Sequence, residues 1–374
     1  MRKHMKEEKS SSKSKWILLI VLIVLIAGGL LTYKLYRDGF LDGFLDRLLN
    51  RSETVAQEVV EEEPEIVEEK KVQIFQGNER PIAVMIDNHK QALPQAGLNE
   101  AYVVYEIIVE GGESRLMAIF KGVEPEKIGP VRSSRHYFLD YALENDAIYA
   151  HFGWSPQAEY DISHLGVQNV NGLIESSETF WRVKDKSAPH NVATTIEKLK
   201  AVAEKRNYRL TSDDTSVLHY VVDEVNLEEG IAADTVTIPY NGKANTVKYV
   251  YNEETKRYQR FSKGVEEKDW ATGEAVTTKN IIITFAKNYT LRDSENKGRQ
   301  GIENIDTLKG YYITNGRAIE ITCEKTSRKE KTVYRDLEGN EINVNDGNTY
   351  IQICPIDAEV LIEGNDEVKD ISEE

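Results

Sequence analysis

Asp87, Asn88 and His89 close a short apolar run, and Glu106, Glu110, Arg115, Arg132, Ser133, Arg135, His151 and Ser155 stand at the ends of the apolar runs that follow. Polar groups at such positions line clefts, and open α/β sheets place ligand groups beyond the carboxyl ends of their strands. Two kinds of chemistry are available. Asp87, Glu106 and His151 offer an acid, a base or a metal ligand, with His190 and Asn191 added from a loop after Pro189. A divalent metal is compatible with these residues, although their spacing has nothing of the helical zinc motifs. Ser133 and Ser155 are weak nucleophile candidates because neither stands in a Gly-x-Ser-x-Gly elbow.

The second kind is anion recognition. Gly129-Pro130 ends a loop, and Ser133 or Ser134 is placed to cap a helix running to Glu144, which would put Arg132 and Arg135 in or beside its first turn. Free backbone N–H groups, the positive end of the helix dipole and two guanidiniums would together suit a phosphate, pyrophosphate or carboxylate. Asn88, Glu110, Arg115, Ser133, Ser155, His190 and Asn191 complete the candidate ligand set. Internal pairing of Arg132 and Arg135 with Glu106, Glu110 or Asp140 explains the same residues equally well. Trp154 and Trp181 offer ring faces for a sugar, though aromatic side chains more often serve a core.

The elements that must position these groups can be read from periodicity. Residues 81–87, 102–109, 116–121 and 147–152 are strand-like, each bounded by Gly, Pro, Asn or Asp. Residues 156–165 and 194–206 read as helices, the latter with Ile196, Leu199, Val202 and Ala203 on one face. Residues 72–223 thus form an α/β-type mixed domain, and residues 234–363 a β-rich one, an α+β chain overall. In the second domain Asn315-Gly316 between residues 311–314 and 317–322 is a strong hairpin signal. Residues 245–251 and 257–261 suggest another hairpin. No catalytic constellation stands out there, and it reads as a packing or partner-binding module.

Cys323 and Cys354 are the two cysteines, each in a strand-like run. Neighbouring strands would allow a disulfide worth roughly 3–4 kcal/mol on the chain-entropy model. Two buried thiols in a β core fit as well.

Residues 16–33 contain no charged side chain and span about 27 Å as a helix, close to a bilayer's hydrocarbon thickness. The tail at 1–15 carries six Lys or Arg against two Glu, so the positive-inside tendency keeps it in the cytoplasm and puts the bulk of the chain outside. Small-residue cleavage signals are poor, which favours a retained single-pass anchor over a signal peptide. Residues 34–71 form a juxtamembrane segment and an acidic linker, whose positions 52–71 hold eight glutamates and two lysines. An acidic tail occupies 364–374. The net charge of −16 becomes −20 beyond the basic N-terminal tail, which disfavours nucleic acid as a partner.

The runs RPIAVMIDNH (80–89), VYEIIVEGGESRLMAIF (104–120), IGPVRSSRHYF (128–138) and APHNV (188–192) resemble the YerB-like family of Gram-positive envelope proteins. KGYYITNGRAIEIT (309–322) and NTYIQICP (348–355) resemble that family's second domain. The resemblance implies a two-domain extracytoplasmic protein, often lipid-anchored, with no established activity. This chain departs from it in having an apolar helix for an anchor. At the positions of its two cysteines, the resemblance implies other apolar residues, which weakens a disulfide. The function expected is a binding or scaffolding module of the cell envelope, for an anionic ligand, a wall precursor or a wall-synthesis partner. The alternative is an envelope hydrolase or transferase acting on a phosphorylated or glycan substrate.

Overall fold

The computed structural model describes residues 12–39, 70–364 and 367–370. They fall into two units that divide between residues 69 and 70. In the first, α1 (Ser12–Arg37) covers the whole apolar run and ends on Lys34 and Arg37. It is long and apolar enough to cross a membrane. The expected juxtamembrane extension beyond residue 39 and the acidic linker to residue 69 lie outside the described residues.

The second unit begins with β1 (Ile82–Asp87), β2 (Val103–Ile108) and β3 (Ser114–Phe120), then α2 (Phe138–Glu144), β4 (Ile148–His151), α3 (Pro156–Leu165), β5 (Asn169–Asn171), β6 (Trp181–Arg182), β7 (Val192–Ala193) and α4 (Ile196–Lys205). Ser155 caps α3 by accepting from Ala158 N, with Pro156 next to it, and Gly166 stops the helix in the left-handed region. Thr195 caps α4 in the same way. The four strands expected between residues 81 and 206 are therefore present, as are the helices expected at 156–165 and 194–206.

One sheet of 12 strands runs through both halves of the chain. From one edge it runs β5, β4, β1, β3 and β2, then Thr349–Pro355, Asn280–Thr290, Thr307–Thr314, Arg317–Glu324 and Val333–Arg335. The strand Thr349–Pro355 lies parallel to both β2 and Asn280–Thr290, so the last part of the chain joins the two halves. The Asn315-Gly316 turn connects the expected hairpin, both residues having positive φ as a two-residue turn of this hand requires. A second sheet contains Thr235–Lys243, Asn245–Asn252, Arg257–Ser262 and Leu361–Gly364. Residues Glu367–Asp370, in the expected acidic tail, pair with Leu361–Gly364 as a further strand.

Every residue of β1, β2 and β3 is buried, which explains their continuous apolar character. Ile82, Val84 and Ile86 pack with Ile196 and Leu199 of α4 and with Val236, Tyr249 and Tyr258 of the second sheet. On the other face, Ala83 and Met85 pack with Phe138, Leu139 and Tyr141 of α2 and Ile162 of α3. The large sheet is thus the middle layer of three.

Two expectations are corrected here. Cys323 and Cys354 are free, buried thiols. Their strands are separated in the sheet by Thr307–Thr314 and Asn280–Thr290, about 14 Å at normal strand spacing, and the two side chains belong to opposite core faces. A disulfide requires Cα atoms within about 7 Å. The second correction concerns the helix after Gly129. It starts at Phe138, not at Ser133 or Ser134, and Tyr137 precedes it without a side-chain cap. Residues 131–134 instead cross the ends of β1 and β4, with Arg132 N donating to Met85 O and Ser134 N to Gly153 O. The serine expected as a cap is otherwise engaged, because Ser134 Oγ accepts from Tyr149 Oη at 2.8 Å. Arg132 and Arg135 therefore precede the helix and do not lie in its first turn.

Candidate functional site

Asp87 ends β1 and is buried. Its Oδ2 accepts from Nδ1 of His190 at 2.7 Å and lies 3.1 Å from Nε of Arg132, while Oδ1 accepts from His89 N at 3.1 Å. His89 stacks on His190 with ring centres 4.4 Å apart. His89 Nδ1 accepts from Gln91 N, which fixes that ring as a local cap. The segments carrying Arg132 and His190 are brought together by a close backbone approach at Gly129. Its φ is +147°, and a Cβ there would meet Val192 O at 2.7 Å, so only glycine fits.

Arg132 is the open member of this group. Its side chain is 28 % exposed, its Nε is off line for a hydrogen bond to Asp87, and its Nη atoms carry no hydrogen bond among the described residues. His190 is likewise incomplete: Nδ1 is committed to Asp87, and Nε2 has no partner among the described residues. A carboxylate-held imidazole beside a guanidinium fork can hold an anion, and it can also exchange a proton at Nε2.

Arg135 and Arg115 differ from Arg132. Arg135 makes a two-pronged pair with Glu110 and donates from Nη1 to Ser134 O at 2.7 Å and to Ser133 Oγ at 3.4 Å. Arg115 donates to Ser133 O at 2.6 Å and lies 4.0 Å from Glu110. Burial would raise the Glu110 carboxyl, but the Arg135 hydrogen bonds and the charges of Arg135 and Arg115 outweigh it and hold the group at about 2. Burial and the neighbouring Arg135 charge lower Arg115 to about 10. For these two arginines the internal salt bridge is what the structure contains.

Glu106 and His151 leave the list of accessible acid–base groups. Glu106 is fully buried: Oε1 accepts from Asn88 Nδ2 at 3.0 Å and Ser114 Oγ at 2.6 Å, and Oε2 accepts from Arg260 Nη2 at 2.7 Å. Asn88 is part of the same network and accepts from Gln95 Nε2 at 2.9 Å. His151 is fully buried between Tyr149 and Trp154, with Nδ1 on Gly153 O at 2.8 Å and Nε2 beside Asn169 Oδ1 at 3.1 Å. Burial pushes its pKa down to about 4, so it is neutral at pH 7. Ser155 is the cap of α3. Asn191 ties down the loop before His190, donating to Val183 O and Lys186 O and accepting from Arg182 Nη1 at 2.6 Å. Trp154 packs on His151, and Trp181 lies 5.7 Å from Lys198 Nζ. Among the described residues, no three His, Cys, Asp or Glu side chains are grouped to hold a metal ion.

The reading of the second half as lacking a constellation misses its contribution here. Arg260 is completely buried and pairs with both Glu106 and Glu267, with Tyr249 Oη 3.3 Å from its Nε. Lys263 Nζ donates to Asn88 O and Asn245 Oδ1, each at 2.9 Å, and pairs with Glu113. A signal for Arg260 exists in the sequence. Tyr258, Arg260 and Ser262 alternate on the inward face of their strand, where a charge needs a buried partner.

Family models match this chain over most of its globular part. Residues 68–209 match the N-terminal domain, and 236–351 the C-terminal domain, of a protein family of unknown function, DUF3048. The chain belongs to this family. A relative from Bacillus subtilis (strain 168), named "Putative lipoprotein YerB", is 33% identical over 288 residues, covering 76% of this chain and 84% of the relative. The crystal structure of the YerB protein from Bacillus subtilis superposes with a TM-score of 0.68 at 31% identity, covering 78% of this chain and 96% of that one. The YerB-like resemblance seen in the motifs is thereby established, as is the α+β fold with two family domains. The lipoprotein name of the relative and the apolar α1 of this chain both point to association with the membrane or envelope.

Proposed function

We propose that this DUF3048 protein is a single-pass membrane protein whose globular unit lies on the outer side and binds an anionic ligand at Arg132, His190 and Asp87. The observation that carries the reading is the state of Arg132: a part-exposed guanidinium whose Nη atoms have no partner among the described residues, fixed beside a buried carboxylate–imidazole pair. Asp87 neutralises part of the local positive charge and orients both partners, leaving a fork suited to two oxygens of a phosphate or carboxylate. In the envelope such a ligand would come from a wall precursor or from a partner in wall synthesis. The basic tail at 1–15 supports the orientation through the positive-inside tendency.

One test is calorimetric titration of the full chain, in uncharged detergent, with inorganic phosphate and with acetate. Binding by the native chain and its loss in Arg132→Ala, with the melting temperature retained, is the expected result. Equal binding by both chains would remove Arg132 from the site. For orientation, protease added to intact cells should digest the globular unit; protection until lysis would overturn the topology.

The 2.7 Å contact between His190 Nδ1 and Asp87 favours a second reading, acid–base catalysis on a phosphorylated or glycan substrate, because it leaves Nε2 as the proton-accepting atom. His190→Gln separates the two. Turnover of a phosphorylated sugar by the native chain that is lost in His190→Gln while phosphate binding is retained supports the catalyst, and no turnover by the native chain leaves the binding reading.

A further inference from the structure

Phe152 links Arg132 to a second feature that the anion site does not use. Its backbone N donates to Arg132 O at 3.0 Å, and its half-buried ring lies 5.3 Å from the guanidinium carbon of Arg182. Against the same ring runs the backbone of Gly172. A Cβ at Gly172 would fall 2.3 Å from Phe152 Cδ2 and 3.0 Å from Phe180 Cγ. The next two residues, Leu173 and Ile174, are 64% and 67% exposed.

This apolar tip is held in a fixed turn. The buried Asn171 accepts from Leu173 N through Oδ1 at 3.0 Å, and through its backbone oxygen from Ile174 N at 2.9 Å and Glu175 N at 3.1 Å. The same Oδ1 accepts from Gly153 N. Glu175 is in turn paired with Arg206. Single exposed aliphatic residues are ordinary. Two in succession on a braced turn, continuous with a half-exposed aromatic ring, make an apolar strip.

The charge beside the strip is unusual for this chain. The protein carries −16 overall, yet Arg182 is exposed, makes no ion pair among the described residues, and donates only to the neutral Asn191. Arg132 has its two Nη atoms open among the described residues. Lys184 is exposed on the same loop, where the exposed Asp185 next to it accepts from Trp270 Nε1; the other exposed carboxylate of this stretch is Glu178. An acidic protein is repelled by an anionic surface, so a cationic rim ending in an apolar tip marks the place where the complementary ligand is both anionic and apolar.

We propose that Arg132, Arg182, Phe152, Leu173 and Ile174 form a binding site for an anionic lipid headgroup, a phosphate ester held by the two guanidiniums with the first carbons of its hydrocarbon chain over Phe152 and the Leu173–Ile174 tip. The proposal rests on the anion-binding reading of Arg132 and adds the class of ligand. Arg182 stays stacked on Phe152 while its fork meets the phosphate, so the ring serves both the cation and the hydrocarbon.

The test compares octyl phosphate with inorganic phosphate by calorimetric titration of the full chain in uncharged detergent micelles, with Arg132→Ala in the same micelles as the blank for partitioning. The native chain is expected to bind octyl phosphate about tenfold or more tighter than inorganic phosphate, the gain from covering two aliphatic side chains. The double variant Leu173→Ser with Ile174→Ser should bring the ratio close to one and leave inorganic phosphate affinity unchanged. Arg182→Ala should weaken both probes. Because Leu173, Ile174 and Arg182 are exposed, an unchanged melting temperature accompanies each variant. Equal affinity for the two probes, or a ratio unaffected by the double variant, overturns the lipid assignment while leaving the anion site standing. Failure of inorganic phosphate and octyl phosphate alike to bind overturns both.

Discussion

Arg260 and Arg132 each meet a carboxylate from the first strands of the sheet, Glu106 in β2 and Asp87 at the end of β1, and their surroundings are opposite. Arg260 has no exposed surface; it pairs with Glu106 and Glu267, and Glu106 is further satisfied by Asn88 and Ser114. Arg132 is 28 % exposed, pairs with Asp87 through Nε, and leaves its outer nitrogens open among the described residues. A buried charge must be saturated because desolvation otherwise exceeds the Coulombic gain, so the first arrangement is architecture joining the two halves of the chain. An arginine can remain half-saturated only where water or a ligand completes it. The pair therefore separates buried, saturated ionic chemistry that holds the fold from part-exposed ionic chemistry that is available for binding.

The largest effect expected from this contrast is at Arg260. Arg260→Ala leaves Glu106 and Glu267 buried without their cation and should cost about 3–5 kcal/mol in urea unfolding of the full chain, or prevent folding. Arg260→Met combined with Glu106→Gln and Glu267→Gln removes the charges together and should recover a large part of the loss. A single Arg260→Ala variant as stable as the native chain would erase the distinction between the two regions.

Much of this framework is legible in the sequence. β1 to β4, α3 and α4 follow from apolar runs, helical periodicity and turn residues, whereas the capping roles of Ser155 and Thr195 come from the structure. The Asn315-Gly316 hairpin follows from turn chemistry. What periodicity cannot show is which of two serines is free to cap. Ser134 is taken by Tyr149 and its backbone by Gly153, so the helix starts later, at Phe138, and Arg132 and Arg135 stand before its first turn. Nor do local patterns reveal that the cation for Glu106 comes from the other half of the chain, 154 residues away. Asp87, Arg132 and His190 were all visible as candidates, but only the fold shows that they are one group and that Glu106 and His151 are not in it.

Glu110 sharpens the comparison because it sits between the extremes, 28 % exposed and doubly paired by Arg135. Although burial alone would raise it, Arg135 and Arg115 hold its folded pKa at about 2, below the ordinary 4.5. A depressed carboxyl stabilises the fold fully above its unfolded pKa, and that contribution is lost as pH falls from about 4.5 towards 2. Thermal unfolding of Glu110→Gln should therefore differ from the native chain near pH 6 and converge with it as the pH approaches 2. A difference that persists at pH 2 would mean that Arg135 is not held mainly by this carboxylate, and would move Arg135 to the same side of the comparison as Arg132.

The smallest effect on stability is expected at Arg132 itself, and it is the most discriminating. Arg132→Ala removes one ion pair at a part-exposed side chain, and Asp87 retains His190 and the His89 backbone N–H, so unfolding should change by less than about 1 kcal/mol. Arg132→Lys goes further. Lysine keeps the charge beside Asp87 but loses the planar fork, so it should leave stability near native and still weaken phosphate binding. If lysine binds phosphate as well as arginine does, the site needs only a positive charge and the open Nη pair has no special role. If lysine instead lowers stability by several kcal/mol, Arg132 belongs with Arg260 as part of the architecture, and the ligand must be sought elsewhere on the unit.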